Sequence, residues 1–479
     1  MATKQVLLAL LLAFVYMTHA ELGRLRVTRG GLSKAADVAR QVLQQEAKIV
    51  GTKLPSFKKS VLRFHGGSIT HFTSPRFTLS ARSPNKLVFG SSGGEVRAQG
   101  SGKIKVLFVS SRFNAYATAR NLRVDMTTAL SRTSTGQLRM TPGQCSASIG
   151  DVRLRITGRG LARLLSWFRK RIAREIKKRL NRELCGQLKK VIQTKANRWL
   201  ARADLSLNVF PGAKLKLGLA SHPSMTSSWM DLALSGGIQQ GSGAVSTISA
   251  PRIGSSSLSS RMVYAWLRDE AANALLRKAH DMGRITFTAS KNLLPSEHRE
   301  KLATTCGDTF ELVPRCIGGV IPELGERYPN TYVYLTMRSR TPPTVNFKRD
   351  KVEIDLKSIL EAKVENPRGQ LAFAGQLDFD AEIRVRVKTV SNRLVVYGSM
   401  VPRTGSVRLR ITQSNVGEEI KSLVAALIPV VEPLILNQIN KRLQQGVRLP
   451  TMPYVQLYSP QLAVQNNVMR VGANANYRP

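Results

Sequence analysis

The groups best placed to do chemistry are cations gathered on residues 158–200, GRGLARLLSWFRKRIAREIKKRLNRELCGQLKKVIQTKANRWL. They are Arg163, Arg169, Lys170, Arg171, Arg174, Lys177, Lys178 and Arg182. Between them, apolar residues recur at Leu161, Leu164, Leu165, Phe168, Ile172, Ile176, Leu180, Leu184 and Leu188. That spacing of three and four predicts a long amphipathic helix. Each step of four overshoots a turn by about 40°, so the stripe winds slowly, as a helix laid along a twisted sheet requires. From 151 to 204 the chain carries 17 Lys and Arg against 4 Asp and Glu. Like charges at helical spacing cost stability, so a face interrupted only by Glu175 and Glu183 is one that an anionic partner would relieve. The plainer alternative is a solvated face. Trp167 falls among the cations, either as an interfacial ring or packed against a neighbouring loop.

A second group of cations sits in residues 90–105, GSSGGEVRAQGSGKIK, which the glycines mark as a hairpin region. Arg97, Lys103 and Lys105 near its exposed turn could approach phosphates without obstruction; an ordinary solvated turn is the alternative. Catalytic patterns are absent: there is no HExxH, no Walker A sequence and no dinucleotide fingerprint. Gly90-Ser-Ser92-Gly-Gly94 fits GxSxG in letters only, because it lies between strands and a nucleophile elbow needs a strand–turn–helix setting. The reading is a binding protein, not an enzyme.

Residues 1–20, MATKQVLLALLLAFVYMTHA, have the layout of an export signal: Lys4, an apolar Val6–Tyr16 core and a small-residue end at Ala20. The core is too short to span a bilayer. Leu423–Leu436, the other long apolar run, is broken by Pro429, Glu432 and Pro433 and reads as a kinked, packed helix. A secreted, extracellular protein is expected. The formal net charge is +43 and unevenly shared. Residues 21–250 hold 40 Lys and Arg against 10 Asp and Glu, residues 251–479 hold 32 against 20. One end therefore meets something anionic, with nucleic acid, acidic glycans and anionic lipid all open on charge alone. In an oxidising compartment the even set Cys145, Cys185, Cys306 and Cys316 favours disulfides. The simplest pairing joins neighbours, Cys145 with Cys185 and Cys306 with Cys316. No CxxC occurs and the six histidines are scattered, so no metal site is expected.

The chain reads as two copies of one pattern. In the first, a helix at 33–50, capped by Ser33 and ended by Gly51, precedes strands at 76–81, 86–89, 95–99, 103–109, 112–126 and 151–157, then the long basic helix. Short strands at 204–209, 214–219 and 229–234 lead to 235–260, SGGIQQGSGAVSTISAPRIGSSSLSS, whose composition is that of a flexible linker. In the second copy a helix at 263–280 precedes strands at 284–289, 331–337, 345–347, 351–356, 370–376, 379–388, 393–400 and 406–412. A helix at 417–445 and a final extended segment follow. VRLRIT stands at both 152–157 and 407–412, each time before a long helix, and IKKRLN at 176–181 is echoed by INKRLQ at 439–444. Duplication explains both wording and order. Alternating strands leave one dry sheet face, which a long apolar-striped helix covers, giving an α+β fold with a greasy slot between the two.

Several motifs in order resemble the family of bactericidal/permeability-increasing protein, lipopolysaccharide-binding protein and the plasma lipid-transfer proteins. They are Cys145 and Cys185 around the last strand and basic helix, RMVY (261–264), RYPN (327–330) with TPP (341–343), and NKRLQQGVRLP (440–450) leading into VQLY (455–458). The resemblance covers essentially the whole chain after residue 20. It implies an elongated boomerang of two pseudo-symmetric barrels, each a twisted antiparallel sheet wrapped on a long helix, joined by a central sheet. The domains expected are 1–20 signal, 21–234 basic barrel, 235–260 linker and 261–479 second barrel. It also implies a phospholipid in each barrel and no other cofactor. Lipopolysaccharide, through its lipid A, would be recognised by the N-terminal half, with permeabilisation of the bacterial outer membrane. Lys103 and Lys105 match the family's basic hairpin tip, Arg169, Lys170 and Arg171 its helix, and Cys145–Cys185 its disulfide; Cys306 and Cys316 lie outside the pattern. The linker departs from it too, being Gly/Ser-rich where the family's is proline-rich. Lipid transfer or lipopolysaccharide delivery without killing is the alternative, and charge-driven binding of heparin-like glycans or nucleic acid is expected as a side activity.

Overall fold

Long stretches of alternating burial, such as Val333–Ser339 and Lys351–Val364, dictate strands with one wet and one dry face. The computed structural model describes residues 21–45, 50–51, 53–54, 56–59, 62–106, 108–159, 173–174, 177, 184–186, 188–202, 206–306, 315–366, 368–391, 393–421, 423–449 and 455–477. Within them the protein is α+β, built on three antiparallel sheets.

Strand β1 (Gly23–Thr28) opens the chain and leads into helix α1 (Arg29–Gln45). The N-terminal sheet follows: β2 (Lys53–Leu54), β3 (Phe57–Lys59), β4 (Leu62–Thr73), β5 (Arg76–Arg82), β6 (Lys86–Ser92), β7 (Glu95–Val106), β8 (Val109–Arg132) and β9 (Leu138–Gly158). Its order is β2-β4-β7-β8-β6-β5, with β3 on β4 and β9 along β8. Next come β10 (Leu207–Phe210), β11 (Ala213–Leu219), β12 (Ser224–Met225), β13 (Trp229–Gln240), β14 (Val245–Thr247), β15 (Val263–Arg268) and helix α2 (Asp269–Asp281). The C-terminal sheet is β16 (Thr286–Ala289), β17 (Val333–Ser339), β18 (Thr344–Lys348), β19 (Lys351–Val364), β20 (Leu371–Val390), β21 (Arg393–Ser414) and β22 (Val447–Arg448). Helix α3 (Val424–Leu443) covers it, and β23 (Val455–Gln465) and β24 (Val468–Tyr477) close the chain.

The two halves repeat as the VRLRIT echo implies: residues 152–157 end β9 and residues 407–412 end β21, each before a helical segment. In the second half, Leu427, Val430, Val431, Leu434, Ile435 and Ile439 of α3 bury against the sheet in one large core, and Pro429 and Pro433 lie inside the helix. In the first half most of the basic stretch 160–183 lies outside the described residues; residues 184–186 and 188–202 are helical. The Cys145–Cys185 disulfide, Cα atoms 5.9 Å apart, ties β9 to that helical segment. Cys306 and Cys316 are also bonded, 6.0 Å apart. Both neighbour pairings therefore form.

Four expectations change. The first helix spans Arg29–Gln45, so Ser33 sits inside it; the cap is Thr28, whose Oγ1 accepts a hydrogen bond from the Gly31 amide at 3.3 Å. Residues 263–268, VYAWLR, are a strand and not the first turns of a helix, because their burial alternates with period two, and the helix starts at Asp269. Several expected strand pairs are single long strands, notably β7, β20 and β21, whose irregular registers are absorbed by bulges. Last, 235–260 is not a loose tether. Its first six residues finish β13, and Gly236 and Gly237 are there for close approach: a Cβ on either would fall 1.9 Å from Lys216 O or Ser246 O.

The central sheet, β10-β11-β13-β1-β15-β24-β23, takes strands from both halves, and β1 lies between β13 and β15. Arg26 on β1 is 2% exposed. It donates two hydrogen bonds of 2.6 Å to the Asp231 carboxylate on β13, and others to Ser256 O at 2.6 Å and Leu258 O at 3.1 Å. Its guanidinium lies 4.1 Å from the Trp229 ring centre and 5.4 Å from that of Trp266. Removing the carboxylate leaves a buried cation without its counter-charge. Asp231→Ala should therefore lower stability by about 3–5 kcal/mol, read as a lower denaturation midpoint in urea.

Candidate anion-binding site

Lys103 and Lys105 stand at the free end of the β7–β8 hairpin, where Val106 pairs with Val109. The turn is therefore at 106–109, not within 90–105. Gly93 and Gly94, with φ of 82° and 81°, lie at the opposite end of β7, where β6 passes directly into β7 along the same edge of β8. Gly100 and Gly102 lie within β7 because rings cross them. A Cβ at Gly100 would sit 2.4 Å from Phe64 Cζ, and one at Gly102 would sit 2.3 Å from Phe113 Cζ. Arg97 is thereby separated from Lys103 by six residues, roughly 20 Å of strand. It binds Glu95, which also accepts from Arg120 Nε at 2.7 Å. Hydrogen bonds from Arg97 first, and then from Arg120, hold the Glu95 carboxyl below its ordinary pKa. Arg97 is thus part of an ion cluster away from the tip.

Register assembles a site that spacing alone does not reveal. Lys58 on β3 faces Arg63 on β4, Arg63 faces Lys103 on β7, and Lys103 faces Arg112 on β8. Four exposed cations thus form one row across four strands, roughly 14 Å long at the usual strand spacing. Like charges directly opposite destabilise a sheet. Among the described residues none of these four, nor Lys105, has an ion-pair partner. The row lies beside a tip on which Phe108 is 98% exposed and Val109 59%. The missed signal is in the sequence: between residues 47 and 124 the only acidic residue is Glu95.

In the C-terminal sheet several cations do meet carboxylates. Arg403 meets Glu353 at 2.7 Å, Lys351 meets Glu353 at 2.9 Å, Arg338 meets Glu361 at 2.9 Å and Arg408 meets Asp380 at 3.3 Å. Those cations are neutralised in place, whereas Arg384, Arg386, Lys388 and Arg393, exposed toward the β20–β21 turn, have no ion-pair partner among the described residues.

Of the expected helix cations, Arg163, Arg169, Lys170, Arg171, Lys178 and Arg182 lie outside the described residues. Arg174 is exposed, while Lys177 donates from Nζ to Gly150 O on β9 at 3.1 Å, tying helix to sheet. Among the described residues no group of three or more His, Cys, Asp or Glu could hold a metal ion, and no helix is long and apolar enough to cross a membrane.

Comparison with known proteins agrees with this architecture. The chain is 23% identical over 493 residues to a lipopolysaccharide-binding protein of Homo sapiens, covering 99% of this chain and 98% of that one. It is 21% identical to a bactericidal permeability-increasing protein of Sebastes schlegelii, covering 80% of this chain and 78% of that one. A crystal structure of lipopolysaccharide binding protein superposes with a TM-score of 0.57 at 20% identity, over 96% of this chain and 99% of that one, and so shares the fold. The N-terminal domain of the LBP / BPI / CETP family matches residues 31–194, and its C-terminal domain matches residues 212–477. Two family domains in this order, over most of the length, place the chain in the LBP / BPI / CETP family.

Proposed function

We propose that this chain is a secreted defence protein that binds lipopolysaccharide through the tip of its N-terminal sheet and loosens the bacterial outer membrane. Members of its family bind and transfer lipids and are not enzymes. The observation that carries the reading is the row Lys58, Arg63, Lys103 and Arg112 beside the exposed Phe108. Lipid A presents phosphates above acyl chains. The cations meet the phosphates and displace the divalent ions that bridge them, while Phe108 and Val109 enter the apolar layer below. Each Lys or Arg near an anionic surface contributes about 1 kcal/mol, and screening limits its reach to roughly 8 Å at physiological salt. Lys105 adds to the same field, and the cations expected between 163 and 182 belong to the same proposal. Arg97 does not, being engaged with Glu95. A phospholipid in each barrel and weak, charge-driven binding of heparin-like glycans or nucleic acid belong to the same proposal, as does export by residues 1–20.

The alternative is a lipid carrier without a membrane-loosening role. The full chain with Lys58, Arg63, Lys103 and Arg112 all replaced by Ser should bind lipid A vesicles about a hundred- to a thousand-fold more weakly at physiological salt and lose most of its salt sensitivity. Unchanged affinity would exclude this row as the site. Phe108→Ser should retain salt-sensitive docking yet admit less of a hydrophobic dye through the outer membrane of intact bacteria. Were both variants to move phospholipid between neutral vesicles as fast as the parent, with no dye uptake from any of them, the carrier reading would replace this one. Solvent extraction of the purified protein should release about two phospholipids per chain if each barrel holds one, a stoichiometry that mass spectrometry and phosphate analysis check.

A further inference from the structure

Beyond the cation row, on the same outer sheet face, lies a cleft of about 340 Å³ lined by Gly66, Gly67, Ser68, Gln99, Gly100, Ser101, Asn114 and Tyr116. Three strands build it. Ser101 faces Asn114 and Gln99 faces Tyr116 across β7 and β8, while Gly66 and Ser68 of β4 face Ser101 and Gln99. The floor is open because Gly66, at φ 113° in a bulged register of β4, brings no side chain to the outer face. Its lining is neutral. Two carboxamides and two hydroxyls can each donate and accept hydrogen bonds, and among the described residues none of these four side chains has a partner. Tyr116 is 45% exposed, its ring available at the edge of the cleft. Arg155 of β9 faces Tyr116 on its other side.

We propose that this cleft holds a sugar ring of the phosphorylated core oligosaccharide that is joined to lipid A, a reading that rests on the docking proposed above. A pyranose ring has an apolar C–H face that stacks on an aromatic ring and an equatorial belt of hydroxyls that amides and hydroxyls match. The order of groups along the hairpin carries the assignment. Phe108 and Val109 form the apolar tip, Lys105, Lys103 and Arg112 come next, and Ser101, Asn114, Gln99 and Tyr116 follow. This is the order of layers in the amphiphile itself: acyl chains, phosphates, sugars. The Ser101–Asn114 pair lies two residues from the Lys103–Arg112 pair, roughly 7 Å along the strands, which is within reach of a saccharide bound to a phosphate held by the row. Arg155 can meet a phosphate carried by the sugars themselves.

The test measures the full chain against three probes: lipid A vesicles, vesicles of lipid A bearing its complete core, and the soluble core oligosaccharide freed of lipid. The expected result is about tenfold tighter binding to the core-bearing vesicles than to lipid A, the size of one stacked ring contact. Tyr116→Ala should erase that preference while leaving lipid A affinity unchanged, and Tyr116→Phe should keep it. Saturation-transfer NMR should show the soluble oligosaccharide bound by the parent and not by Tyr116→Ala. Equal affinity of the parent for both vesicles, or an equal loss on both in Tyr116→Ala, overturns the sugar assignment. So does sulfated dextran competing for the oligosaccharide as well as the core itself, since that would reduce the contact to charge. If the oligosaccharide binds through Tyr116 and lipid A does not bind at all, the docking reading fails and the sugar cleft stands.

Discussion

Arg26 holds the molecule's two halves to one another. A guanidinium 2% exposed in the middle of a sheet is costly unless every donor is used. Here the fork of Arg26 meets the fork of Asp231, its remaining nitrogen reaches Ser256 O and Leu258 O, and Trp229 and Trp266 lie against it. Those partners come from β13, the segment after β14, and β15, so one side chain fixes the first strand, the crossing segment and the first strand of the second half. Arg24 repeats the arrangement one turn of the pleat away, bonding Glu21 and the carbonyls of Ile253 and Gly254. The relation of the N-terminal sheet to the rest therefore follows from β1, which connects directly into α1 and then into that sheet.

With the halves so fixed, they differ in how charge is placed on their sheets. Both are basic, but the second sets part of its cations against cross-strand carboxylates such as Glu353, Glu361 and Asp380. Exposed pairs of that kind add little stability, yet they cancel the local field. Among the described residues the N-terminal sheet has a cluster around Glu95, at the end of β7 remote from the tip, and the Asp151–Arg153 pair on β9. Toward the tip no acid intervenes and the cations face each other. Net charge alone describes two basic halves; the pairing pattern shows that the row on β3, β4, β7 and β8 lies directly opposite like charges with no acid among them.

Much of the fold was legible because it rests on local patterning. Alternation announces the strands, the duplicated VRLRIT announces the symmetry, and the interrupted apolar run announces α3. Glycine is where reading failed. At Gly93 and Gly94 it takes up positive φ where β6 passes into β7, and at Gly100, Gly102, Gly236 and Gly237 it makes room for a crossing ring or a neighbouring backbone. Composition cannot separate these uses, since both ask only for a missing side chain. VYAWLR failed for a related reason: six residues are too few for period to decide between helix and strand, and its partners, β1 and β24, are distant in sequence.

The candidate site shows the same limit more sharply. Lys103 and Lys105 could be named from the sequence because they neighbour a turn. Lys58, Arg63 and Arg112 could not, since their approach to Lys103 depends on three strand pairings at once, with the β4–β7 register shifting between Phe64 and Gly66. Had β4 lacked its extra residue, everything beyond Phe64 would present its other face, and Ser68 would leave the face shared by Gln99 and Tyr116. The bulge thus lets one sheet face carry a charged row and a neutral cleft side by side. An interaction with a layered amphiphile needs both in register, and register is the property that no local stretch of this sequence encodes.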